Sequence, residues 1–562
     1  MKKIFSNMRL SLLAVGVMAT MQCCNIDIDP TDRYTDVAVW KNPSNIELYI
    51  SGMYAEFQTF KFGAFPIGYS NASDALSDIM KYTANVAGNG TVNILATDAS
   101  RVTASTPQLS YWQAAYTRIR RINEFLDGMT KYATIDENAK AGYEAEARFV
   151  RGYVYFWLAR LHGSFVIMDN MSQYSTNARE RSSEEDCWKF IAQDFQYAAD
   201  HLPVIPVKSG RATKGAAYAM LARTWLYAAS IAEYDQKLYN SDPLTGVAAA
   251  NAPAYYQNAA NAAQAVKDLA SQGYYKLESV FSKKNTTEAV FKISFVAPQL
   301  THTYDLTYTP PGDAPGQALS LGVPTAELVN EFEMADGTRF SWSNASQAAN
   351  PYVGRELRFY STILYNGAPW KGRNINTTAA NATEGFTQFG VNTDPRRTVT
   401  GYYIKKNLDS LNTTFVTYGS TQDWVEIRYA EVLLIHAEAE AKLNHISSAQ
   451  SSLNEVRNRA GLPNTNASTT VQLMEAVEHE RKVELAFEGH RYWDLRRWRK
   501  AHTVLNNVRF TGHKISAAGT GYTYETVSAD NANRQFTGAL YYIPIPASEL
   551  QNNTALTQIK GW

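Results

Sequence analysis

Residues 478–498 read Glu478-His479-Glu480-Arg481-Lys482-Val483-Glu484-Leu485-Ala486-Phe487-Glu488-Gly489-His490-Arg491-Tyr492-Trp493-Asp494-Leu495-Arg496-Arg497-Trp498. Val477, Leu485, Tyr492, Leu495 and Trp498 supply apolar anchors, and the charges between them fall at i,i+3 and i,i+4 spacing, where they can pair. The stretch is expected to form an amphipathic surface helix with one buried stripe.

Working outward, the same punctuation recurs. Residues 424–443 (W-V-E-I-R-Y-A-E-V-L-L-I-H-A-E-A-E-A-K-L) and 453–462 (L-N-E-V-R-N-R-A-G-L) read as a helical pair immediately upstream. Towards the N-terminus, Tyr111 opens a helix whose apolar positions continue through Ile119, Ile122 and Leu126. Further helices are expected over residues 145–161 (stopping near Gly163), 188–202 (closed by Pro203), 217–229 and 255–269 (ending near Gly273). The alanines of residues 217–229 allow close helix–helix approach. Helices of this length on short loops imply antiparallel pairs stacked as in a tetratricopeptide array, although the strict repeat consensus is absent. Between residues 280 and 421 helical periodicity lapses, and strand-like runs such as residues 289–295 alternate with Gly, Pro, Asn and Thr.

The run E-R-x-x-E-L-x-F-E-G-x-R-x-x-D-L-R-R-W at residues 480–498 resembles the signature of the SusD/RagB family, the outer-membrane nutrient-binding lipoproteins of Bacteroidetes. E-A-R-F-V-R-G-Y-x-Y-F-W-L at 146–158, G-R-A-T-K-G-A-A at 210–217, the helical pair above, residues 323–337, and Tyr542-Ile543-Pro544-Ile545-Pro546 with Glu549-Leu550 also resemble family wording, in the family's order. The resemblance implies a mainly α fold: a tetratricopeptide-like scaffold with a loop-rich, partly β middle region forming the ligand face. The divisions expected are a signal peptide at 1–23, an N-terminal helical region at 24–300, a ligand-binding region at 301–420 and a C-terminal helical region at 421–562. It also implies a role: capturing an oligosaccharide and passing it to a TonB-dependent, SusC-like outer-membrane barrel. Peptide import by a RagB-like member is the alternative, and a glycan-degrading enzyme a more distant one.

The N-terminus is consistent with export. Lys2, Lys3 and Arg9 precede a short apolar run at residues 10–19, too short for a membrane span of about 20 residues. Gln22-Cys23-Cys24 follows and looks like a lipoprotein cleavage site. A small residue is needed before the modified cysteine; Cys23 provides it for Cys24, whereas Gln22 does not for Cys23, so Cys24 is the expected lipid anchor. Asp27, Asp29 and Asp32 resemble the surface-export signal of such lipoproteins, placing the protein on the outer face of the outer membrane. Cys187 is then the remaining free thiol, and a large core rather than a disulfide must supply stability. Fifty-three basic and fifty-three acidic residues balance, which points away from nucleic acid as a partner.

Within the family, ligands bind in loops of the middle region and of residues 69–106. The expected ligand residues are Trp370, Tyr304, Tyr308, Trp342 and Tyr82 as stacking platforms, with Asp74 and Arg373 as hydroxyl partners. Aromatic side chains suit the task because a pyranose offers a flat C–H face to a ring, while its hydroxyls need polar neighbours. Trp370 leads, since Asn366-Gly367 and Lys371-Gly372-Arg373 surround it with polar sequence. Catalytic patterns fail: Val483 stands where a zinc-protease helix starting at His479-Glu480 needs histidine. No nucleophile elbow or phosphate loop is present. Glu431, Glu438 and Glu440 are expected on a solvated helix face, His436 and His445 as ordinary helix residues, and the nine histidines show no ligand spacing, so no metal and no cofactor is expected.

Overall fold

Helix punctuation sets the framework. Asn42 caps α1 (Pro43–Ala55), with Pro43 at the first helical position, where its missing N–H costs nothing. α2 (Trp112–Tyr132) is followed by α3 (Glu137–His162), whose N-cap Asp136 accepts from Asn138 N and Ala139 N. α3 stops at Gly163, which takes φ +68°; a β-carbon there would lie 2.4 Å from the Tyr542 ring. α4 (Glu184–His201), α5 (Lys214–Tyr234) and α6 (Ala252–Ser271) follow, and after the middle region come α7 (Tyr429–Lys442), α8 (Ile446–Arg459), α9 (Thr470–Glu484) and α10 (Arg491–Arg497). The computed structural model describes residues 39–57, 72–84, 91–106, 109–235, 241–278 and 286–562. The signal segment and Cys24 lie outside the described residues.

Successive helices pack in order: α2 on α3, α3 on α4, α4 on α5, α5 on α6. α6 then packs on α7, α7 on α8, and α9 on both, so the helices before and after the middle region form one stack. Small side chains make the close contacts possible: Ala216, Ala217, Ala219, Ala222, Ala228 and Ala229 of α5 are all buried. One hydrophobic core runs from Trp40 to Ile559. This is the expected mainly α, helical-pair scaffold. No helix among the described residues is long and apolar enough to cross a membrane.

The strands are short, and each pairs antiparallel with one partner. β1 (Met80–Tyr82) pairs with β3 (Gly322–Pro324), and β2 (Ala289–Ile293) with β8 (Trp424–Arg428). β4 (Ile363–Leu364) pairs with β7 (Tyr403–Ile404), β5 (Pro369–Trp370) with β6 (Arg373–Asn374), and β9 (Thr511–Ala518) with β10 (Gly521–Ser528). The β2–β8 pair pins both ends of the middle region to the stack. The β1–β3 pair, reinforced by Thr325 Oγ1 donating to Asp78 O, joins residues near 80 to those near 322.

Two expectations change here. Residues 478–498 are not one helix: α9 ends at Glu484, the chain turns through Phe487 (φ +65°) and Gly489 (φ +77°), and α10 begins at Arg491. Its charges are not solvated either. Arg428 holds Glu488 through two bonds of 2.6 and 2.8 Å, and also reaches Glu484 at 2.6 Å and Glu288 at 2.7 Å. Arg481 clamps Asp494 at 2.9 and 3.0 Å, Arg497 holds Glu438 at 2.5 and 2.7 Å, and Arg491 reaches Asp78 at 2.8 and 3.0 Å. Glu431, expected on a solvated face with Glu438 and Glu440, holds Arg223 of α5, and all three glutamates are buried. His436 is buried against Ser452, and His445 precedes α8 with its ring nitrogen 3.0 Å from Glu440 rather than on the helix's own N–H groups.

Candidate functional site

Four of the expected ligand residues are buried. Tyr304 and Tyr308 are each 1% exposed and lie ring to ring at 4.7 Å, with Tyr304 Oη donating to Lys406 O. Neither ring has a free face, so neither can serve as a platform. Asp74 is fully buried and accepts from Gly489 N at 3.1 Å, holding the turn between α9 and α10. Trp370 is 4% exposed, and its indole N–H donates to Asp313 Oδ2 at 2.8 Å. Polar sequence around a tryptophan did not mean an exposed one: the two-residue turn Lys371-Gly372 (φ +46° and +75°) folds β5 onto β6, with Trp370 turned inward.

Arg373 faces Asp313 from across that hairpin. Its side chain keeps 30% of its exposure, donating to Asp313 Oδ1 and to Glu384 Oε1, each at 2.7 Å. The two carboxylates raise its pKa further, against the opposing effect of burial. Gly312 lies close beneath it: a β-carbon there would sit 2.6 Å from Arg373 Nη2 and from Glu384 Oε2, so any side chain would displace that ion pair. Lys371 donates to Asn412 O at 2.9 Å, beside an exposed stretch holding Leu411 and Tyr418.

Trp342 belongs to a different arrangement. It is half-buried, its indole N–H donates to Asn330 Oδ1 at 3.0 Å, and Phe340 meets it edge-on at 5.3 Å. His513 of β9 lies 4.6 Å away and Tyr524 of β10 5.4 Å away, both tilted against the indole. Tyr524 meets Tyr352 at 5.8 Å, and Tyr352 meets Tyr365 at 4.5 Å. Trp342, Tyr524 and Tyr365 each keep part of a ring accessible, and Tyr522, two residues before Tyr524 and so on the same face of β10, is 49% exposed. Burial lowers His513 to about 4, so its ring is neutral near pH 7, with Nδ1 2.8 Å from Tyr402 Oη. The result is a shallow aromatic surface assembled from the middle region and one C-terminal hairpin. Tyr82 is also partly buried, in β1, and burial raises its hydroxyl to about 12.

Tyr522 and Tyr524 were missed because they lie in the C-terminal region, away from the loops named first. The signal was present: alternating G-Y-T-Y-E-T-V at 521–527 follows Gly519, which takes φ +58° at the hairpin turn. No group of three or more His, Cys, Asp or Glu residues able to hold a metal occurs among the described residues.

Comparison with known proteins identifies the family of the fold. A family profile described as SusD family matches residues 287–562, and one described as starch-binding associating with outer membrane matches residues 34–226. SusD-like protein P2 of Formosa agariphila is 23% identical over 96% of this chain and 97% of its own length. A SusD-like protein of Bacteroides fragilis has a solved structure that aligns with TM-score 0.76 and 25% identity, over 94% of this chain and 99% of that one. A laminarin-binding SusD-like protein shares the fold at TM-score 0.65 and 21% identity, over 93% of this chain and 100% of that one. With its motifs in family order and both halves matched, this chain belongs to the SusD family, whose members associate with the outer membrane.

Proposed function

We propose that this protein is a surface-exposed, lipid-anchored carbohydrate-binding protein that captures an oligosaccharide and delivers it to a SusC-like TonB-dependent transporter, without itself cutting the glycan. The observation that carries the binding role is the half-exposed aromatic surface of Trp342, Tyr365, Tyr522 and Tyr524. Tyr522 is exposed and the other three rings partly so, and stacking of a pyranose on such a ring contributes about 0.5–1.5 kcal/mol per contact beyond area burial. Several contacts are therefore needed, which suits a chain of sugars lying along a shallow surface. The laminarin-binding relative supports the ligand class. A hydrolytic role is disfavoured because Glu431 and Glu438, two of the three helix carboxylates that could be imagined as a glycosidase pair, hold buried arginines.

Migration in native gels containing neutral or acidic polysaccharides tests the reading. Retardation of the wild type, lost in Trp342→Ala/Tyr524→Ala with its fold intact, is the expected result. Co-purifying peptides with no retardation in any glycan would replace it with peptide import, and reducing ends released by the pure protein would replace it with hydrolysis. Anchoring is tested separately. Cys23→Ser/Cys24→Ser should leave the detergent phase, and a variant still partitioning like the wild type would contradict the lipid anchor.

A further inference from the structure

Three loops meet beside β5–β6 and bring their arginines together. Arg373 is held by Asp313 and Glu384. Arg396 donates through Nη1 to Gly316 O at 3.0 Å, three residues from Asp313, and through Nε to Asp394 at 3.2 Å. Arg397 donates through Nη1 to Asn381 O at 3.3 Å and to Ala382 O at 2.8 Å, close in sequence to Glu384. All three guanidinium groups remain partly exposed, whereas Asp313 and Glu384 are turned inward, with side chains 2% and 5% exposed.

The electrostatic outcome differs from an ordinary salt-bridged surface. Backbone carbonyls fix Arg397 without neutralising it, and among the described residues no carboxylate pairs with it. Two of the three carboxylates in the cluster are withdrawn from solvent, so the groups it turns outward are mainly guanidiniums. Arg396 is held in place at φ +49°, in the left-handed region that a side chain of its size rarely adopts. Guanidinium groups already anchored lose little freedom on meeting a ligand, and their planar donors match a carboxylate or sulfate oxygen pair. The chain that carries Arg396 and Arg397 continues directly into residues 398–402, which bond to β9 through His513 N and Thr400 O. β9 in turn sets His513 against Trp342. The segment that carries Arg396 and Arg397 thus adjoins the strand that sets His513 against Trp342.

Resting on the carbohydrate reading above, we propose that the ligand is an acidic oligosaccharide, whose uronate carboxylates or sulfate esters are received by Arg373, Arg396 and Arg397 while its rings lie on the aromatic surface. Calorimetry on the wild-type protein tests this with matched probes: a hexauronate, the same hexasaccharide after carboxyl reduction, a sulfated galactan hexasaccharide, laminarihexaose and a polyglutamate peptide. The expected result is binding of the uronate or the sulfated probe at least about 10-fold tighter than of the neutral hexasaccharides in 50 mM salt, with the advantage shrinking several-fold at 500 mM. Whichever anionic probe binds more tightly identifies the substituent. Arg396→Ala/Arg397→Ala should abolish the advantage. Equal binding of the uronate and its carboxyl-reduced twin would overturn the inference and leave the carbohydrate reading standing. Binding of the peptide with no glycan bound, or of no glycan at all, would overturn both. Because the reduced twin is compared on unaltered protein, the result does not depend on the variants folding.

Discussion

Two tryptophans that look alike in sequence differ in burial. Trp370 is 4% exposed and bonded to Asp313, so Trp370→Ala would open a cavity and lose a buried hydrogen bond, lowering stability by about 3–5 kcal/mol. Trp342 is half-buried, and Trp342→Ala is expected to cost about 1 kcal/mol of stability and about fivefold in glycan affinity. Urea unfolding and calorimetry on both variants separate the cases; a Trp370→Ala protein of unchanged stability would contradict the assignment. What sequence lacks at this scale is direction. Asn366-Gly367 and Lys371-Gly372-Arg373 correctly signalled a tight turn, but the side of the hairpin on which Trp370 falls is set by the pairing of Trp370 with Arg373.

Among the elements, the α9–α10 segment is the hub of the fold. Glu484 receives Arg358, Arg428 and Arg459, while Arg491 and Arg497 reach Asp78 and Glu438 in distant parts of the chain. Burial would raise the Glu484 carboxyl, but Arg459, Arg428 and Arg358 hold it well below the ordinary carboxylate range. Glu484→Gln preserves shape but leaves two buried arginines and the partly buried Arg459 short of charge, and is expected to cost about 3–5 kcal/mol. A loss under about 1 kcal/mol in urea unfolding would mean that the segment behaves as the solvated face its sequence suggests. The helices themselves were legible: periodicity and punctuation placed α4 to α6 within about five residues at each end, but missed the first two turns of α3, which begins at Glu137 rather than near 145, and the last turns of α2, which runs to Tyr132. The network was not. A pairable surface charge and a buried one look identical in sequence until Asp78, Arg223, Glu288 and Glu438 are brought in from elsewhere, and that is tertiary information. The family wording of residues 480–498 pointed to the right fold for a reason that periodicity did not reveal.

For the molecule as a whole, burial couples stability to pH. His162, His436 and His513 are each lowered to about 4 by desolvation, whereas an unfolded histidine takes its proton near 6.5. Between those values the unfolded chain binds more protons, so their contribution is complete above about pH 6.5 and is lost as pH falls towards 4. Glu184 and Glu288, raised by burial, oppose that slope, so the histidine contribution is best read by difference. His162→Asn should remove up to about 2 kcal/mol of the stability change between pH 6.5 and 5, visible as a flatter dependence of the unfolding midpoint. Identical slopes in variant and wild type would show that His162 is not neutral in the folded protein.

One stack of helices, tied through β1–β3 and β2–β8 to a middle region, presents a shallow aromatic surface rather than a closed pocket. Binding to such a surface must accumulate along a chain of sugars, because each ring contributes only about 1 kcal/mol and immobilising the ligand takes several of these back. Calorimetry with a ladder of oligosaccharides of one to eight units, with and without chelator, examines this directly. Affinity should be unmeasurable for the monosaccharide, rise with each added unit until the surface is covered, and be unchanged by chelator. A monosaccharide that binds as tightly as the octasaccharide, or binding that chelator abolishes, would contradict it.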